Sequence, residues 1–119
     1  MGAADTRVYE GRRTATGCVV TVDGKPLDPR LDLLRLSDGF EWGYDGNGPR
    51  QLALAVLADL LGDDARAVAD HRRLTAAVIE GLEGESWTLT GTDIDQALRA
   101  FLQVPTDLQG LLARLRGEG

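Results

Sequence analysis

The chain has 119 residues, 43% of them hydrophobic, which suits one domain with a core of its own. Thirteen basic residues stand against 19 acidic ones, and the net charge of −6 opposes general binding to a phosphate backbone. The single cysteine, Cys18, excludes an intrachain disulfide and a zinc site built on thiolates, and no run approaches the ~20 apolar residues of a membrane helix.

Residues 1 to 6 carry no helical or strand period and read as a disordered start. "RVYEGRR" and "CVVTVDGKPL" are rich in strand-forming residues and predict two short strands joined through "TATG". Asp23-Gly24 is a strong two-residue turn signal, with extended chain resuming at Lys25. "LDLLRLSDG" fits neither helical nor strand period. In "GFEWGY", Phe40 and Trp42 alternate with Glu41, which predicts a strand with the two aromatics on one face. Pro49 stands where a first helical residue would, and "QLALAVLADLL" is apolar on nearly every side, interrupted only by Gln51 and Asp59. That describes a central, buried helix. Gly62 closes it, and Asp63 or Asp64 caps the next. The second helix should run to about Leu82, with Val68, Leu74, Val78, Ile79 and Leu82 inward. Asp70, Arg72, Arg73 and Glu80 should form its wet face. "WTLT" predicts a short strand, and Thr92 with Asp95 a capping box for a helix through Leu102, broken by Pro105. A short amphipathic tail at 105–119 completes a single α+β domain of residues 7–104. In it, a small antiparallel N-terminal sheet packs on about three helices, with Trp42, Trp87, Phe40 and Phe101 as the large core pieces.

The longest distinctive stretch is "GFEWGYDGNGPRQLALAVLADLLGD", followed later by "WTLTGTDID". With "HRRL" between them, these stretches resemble a family of small proteins of unknown function found in bacterial and phage genomes. Its signature is a Phe-Glu-Trp-Gly-Tyr run, a glycine-rich turn ending in proline, and a Gln-Leu-Ala-Leu-Ala helix. The resemblance spans roughly residues 7 to 102. Asp45, Asn47 and Arg50 depart from it, standing where the family has smaller residues. It implies a phage or mobile-element setting and carries no activity with it.

No catalytic template is met. Cys18 lies in a strand-like run, far along the chain from the one histidine, so it reads as a small hydrophobe and not as a nucleophile. His71 lies in a charged segment, "DHRR", without a serine or cysteine partner. Glu41, if buried, needs a cation such as Arg50. Asp45 and Asn47 alternate as calcium ligands do, but no glutamate closes a loop. The glycines fit neither a P-loop nor a dinucleotide fingerprint. These readings point to a non-enzymatic, cytoplasmic interaction module without cofactor or metal. Its protein partner would meet the turn of Tyr44, Asp45, Gly46, Asn47, Gly48 and Arg50. The alternative is a small anion or nucleotide held by the helix start at 46–50, with Arg50 supplying charge. Membrane association is not expected, and the sequence leaves oligomeric state open.

Overall fold

The computed structural model describes residues 6–100. Strands β1 (Val8–Thr14) and β2 (Gly17–Val22) form the expected hairpin, with Tyr9 opposite Val22 and Thr14 opposite Gly17. Asp23 and Gly24 both take positive φ, 52° and 83°, the geometry of a two-residue hairpin turn. The turn returns the chain as β3 (Lys25–Pro26) against the end of β2. The remaining strand, β4 (Ser86–Thr90), comes from late in the chain and pairs antiparallel with the other side of β1, giving the order β3-β2-β1-β4. The fold is therefore α+β, with a sheet closed by a late strand and not confined to the N-terminal half.

Helix α1 (Asn47–Leu61) carries the core. Its residues from Gln51 to Ala58 are all buried, as an all-round apolar helix requires. It begins two residues before Pro49, with Gly46 as N-cap, and stops at Gly62 in the left-handed conformation. Helix α2 (Asp64–Ala77) is capped by the Asp63 carboxylate, which accepts from the Arg66 N–H at 3.1 Å. It ends five residues before Leu82, and a 3₁₀ turn covers Ile79–Gly81. Leu74 and Ile79 are buried, and Val68, Val78 and Leu82 pack at the edge of the core. Asp70, expected in water, is 8% exposed, and receives Arg73 at 2.7 Å and Arg66 at 3.8 Å. Two basic residues of its own helix thus neutralise it.

Residues 91–100 form helix α3 directly after β4. Its capping box lies two residues earlier than expected: Thr90 N–H donates to the Asp93 carboxylate, and Asp93 N–H donates to Thr90 Oγ1, each at 3.0 Å. Asp95 instead receives Arg99 at 2.8 Å. Ile94 and Leu98 face the core. Phe101, Pro105 and the tail at 105–119 lie outside the described residues, as do residues 1–5.

The segment between β3 and α1 has no regular structure after a turn at 31–33. Gln51 organises it. The side chain is fully buried, yet every polar atom is used. Nε2 donates to the carbonyls of Pro29 (2.7 Å) and Leu34 (3.0 Å), while Oε1 accepts from the N–H groups of Leu36 (2.7 Å) and Ser37 (3.1 Å). A polar break in an apolar run is here the anchor of a nine-residue loop.

Candidate functional site

The stretch from Phe40 to Arg50 was expected to begin as a strand. It runs outside the sheet instead, with no strand at residues 39–44. Arg13, on the inner side of β1, holds it. Its guanidinium donates to Glu41 Oε1 at 3.0 Å and to the Trp42 carbonyl at 3.2 Å, and lies 4.5 Å from the centroid of the Trp42 ring. Glu41 is therefore paired with Arg13, not Arg50. Trp42 is 1% exposed, meets Trp87 edge to face at 5.5 Å, and donates its indole N–H to the Gly84 carbonyl at 3.1 Å. The Glu41 side chain also packs onto Gly48, where a Cβ would stand 2.8 Å from Glu41 Cβ.

Beyond this anchor the chain turns outward. Tyr44 is 51% exposed, the most exposed large apolar side chain among the described residues. Its ring rests on Gly46, where a Cβ would come within 2.6 Å of it. Asp45 and Arg50 close the turn with two parallel bonds of 3.0 and 3.1 Å. The Arg50 guanidinium holds the Asp45 carboxyl below its usual range, and the carboxylate raises Arg50 in return. Asn47 is exposed, and Gly48 and Pro49 are buried. The six predicted residues thus divide between the bend at Tyr44–Gly46 and the first turn of α1, which holds Asn47, Gly48 and Arg50. Arg50, the cation required for an anion site, has its guanidinium engaged by Asp45.

The other chemical candidates are dispersed among separate partners. His71 Nδ1 bonds the Val68 carbonyl of its own helix at 2.7 Å, while Glu41 and Asp45 each hold a different arginine. Burial, then the charge of Glu41, pushes the Cys18 thiol up, away from the thiolate that nucleophilic attack needs. Cys18 is half-buried at the rim of the core. Among the described residues, no three of His, Cys, Asp and Glu gather as a metal site would require, and no helix is long and apolar enough to cross a membrane.

One further cluster, centred on Asp59, has no motif in the sequence to mark it. Asp59 accepts from the Tyr9 hydroxyl at 2.6 Å and from Arg7 at 3.1 Å. Burial, with Asp59 beside it, pushes the Tyr9 hydroxyl well above the ordinary tyrosine range. Asp59 looked like an interruption in an apolar helix, and only the pairing of β1 with the helical layer shows what it serves.

A model for a protein family described as "Family of unknown function (DUF6166)" matches residues 9–100. No curated protein and no solved structure gave a significant match. The chain belongs to that family, whose match takes in nearly the whole described fold.

Proposed function

From that membership and this geometry, we propose a non-enzymatic interaction module that meets a protein partner through the Tyr44–Pro49 turn. One observation carries the reading: an exposed tyrosine stands two residues from a fully buried tryptophan. The Arg13 clasp fixes the turn on one side and the Asp45–Arg50 fork on the other. Such a turn presents Tyr44 with little ordering left to lose on binding, and tyrosine is favoured at the centre of interfaces. A bacterial cytoplasm or a mobile element is the proposed setting, supported by the "GFEWGY" resemblance alone.

Placing a photo-crosslinking phenylalanine analogue at position 44, and separately at exposed Arg35, tests the surface. A partner joined only from position 44 supports it. Equal joining from both positions, or none from 44 in a folded protein, sinks it. The second reading, an anion at the start of α1, draws on an N-terminus without a side-chain cap or an acidic first turn. It requires Arg50 to leave Asp45. A nucleotide panel that leaves the melting temperature unchanged at millimolar ligand counts against it.

A further inference from the structure

The two edges of the sheet differ. The β3 edge is two residues long and holds Pro26, so it offers little to a further strand. The β4 edge has no proline, lysine or bulge, and its pairing with β1 is continuous from Arg12–Ser86 to Val8–Thr90. Arg13 N–H donates to the Glu85 carbonyl (2.8 Å) and Gly91 N–H to the Arg7 carbonyl (2.9 Å). Antiparallel alternation then directs the main chain of Trp87 and Leu89 toward β1 and that of Ser86, Thr88 and Thr90 away from it. The Thr90 N–H is taken by Asp93. Ser86 and Thr88 are exposed, and among the described residues their main-chain groups have no partner.

The sheet face beside this edge is shaped and charged. A cavity of about 320 Å³ lies over it, lined by Glu10, Arg12, Val19, Thr21, Ser86 and Thr88 among others. Register sets two rows across it: Thr21–Glu10–Thr88 and Val19–Arg12–Ser86. Glu10 and Arg12 are both exposed, and among the described residues neither has an ion-pair partner.

We propose that β4 receives an extended segment of another protein as a fifth, antiparallel strand. A basic side chain would lie opposite Thr88 and an acidic one opposite Ser86, two residues on. Added main chain satisfies the outward groups of Ser86 and Thr88. Its outer side chains stand about 9.5 Å from Glu10 and Arg12, two strand spacings, within reach of paired long side chains. An apolar residue between them falls on the inner face beside Trp87. A second copy of this chain fits less well. Its Glu10 and Arg12 would lie about 14 Å from ours, three spacings away.

The test uses the full chain, ¹⁵N-labelled, with the capped octapeptide Thr-Thr-Val-Lys-Val-Glu-Thr-Thr. Expected are shifts centred on the amides of residues 86–90 and slowed exchange at Ser86 and Thr88. N-methylating the Lys and Glu nitrogens removes binding, whereas methylating the central Val nitrogen leaves it intact. Exchanging Lys and Glu weakens binding about tenfold, as two surface charge pairs turned from attraction to repulsion should. The double variant Glu10→Arg, Arg12→Glu restores it. Three outcomes overturn the proposal: no effect on these amides at millimolar peptide, indifference to the position of the methyl group, or concentration-dependent protection of Ser86 and Thr88 without peptide. The last would place a second copy on the edge.

Discussion

Replacing Gln51 with Met keeps the length and much of the volume of the side chain and removes all its polarity. Four hydrogen bonds go: two given to the Pro29 and Leu34 carbonyls and two taken from the Leu36 and Ser37 N–H groups. Each bond contributes about 1 kcal/mol net, and its loss at a buried site leaves a loop group to be desolvated without compensation. Some of those groups can turn to water, because residues 33–37 are only half-buried or exposed. The expected cost is therefore about 3 kcal/mol, somewhat below the simple sum. In a domain of this size that corresponds to a fall of roughly 12 °C in melting temperature. Urea denaturation followed by tryptophan fluorescence measures it directly, and an unchanged slope with denaturant shows that the same surface is exposed on unfolding. Hydrogen exchange should lose protection at Leu36 and Ser37 first. At a cost below about 1 kcal/mol the loop would instead be held by its own leucines, and Gln51 would only be filling space.

Three more outcomes follow from the same geometry. Gly11→Ala puts a Cβ 2.3 Å from the Trp87 ring, so it should cost about 2 kcal/mol or more and alter the tryptophan fluorescence, read in the same urea titration. Because Arg50 lowers the Asp45 carboxyl, the ion pair contributes above the ordinary carboxylate range and is lost as pH falls through the depressed value. Carbon-detected titration should find Asp45 returning to the ordinary range in Arg50→Ala. Tyr9 shifts the other way. Its hydroxyl is raised, so its contribution is full below about pH 10 and is lost as pH rises beyond it. Stability should fall more steeply above that point in the wild type than in Tyr9→Phe, which also loses about 1–2 kcal/mol with the Asp59 bond at neutral pH. Equal alkaline slopes would contradict this.

Much of the frame was legible because it rests on local signals. Asp23-Gly24 specifies its hairpin, Gly62 and Asp63 mark one helix end and the next start, and a run apolar on nearly every side names the central helix. What was misread depends on distant partners. Phe40 and Trp42 alternate as a strand would, but both sides of β1 are already taken, by β2 and β4. The two aromatics pack without joining a sheet. Thr90 and Thr92 each precede an aspartate by three residues, and the helix uses the first because β4 passes straight into it. Gln51, Asp59 and Asp70 all look like concessions to water. Each is instead a buried or half-buried anchor: Gln51 and Asp59 are held by partners far along the chain, which no spacing rule supplies, whereas Asp70 takes Arg66 and Arg73 at the ordinary i,i+4 and i,i+3 helix spacings. The six candidate residues stand out in the sequence because glycines and an aromatic before a helix are a local pattern; the fork between Asp45 and Arg50 does not.

The position of β1 also bears on how the chain is made. Its two neighbours come from opposite parts of the sequence, β2 at once and β4 only after both long helices have been added. During synthesis the hairpin therefore waits with an uncovered flank until residues near 90 have left the ribosome. Pairings between such distant residues form late and slowly. For that interval, the Gly11 side of β1 is open to any extended segment nearby, including its own nascent copies on neighbouring ribosomes. A chain ending before residue 86 should bind chaperones in a pull-down from cells, and one that includes β4 and helix α3, with Ile94 and Leu98, should not.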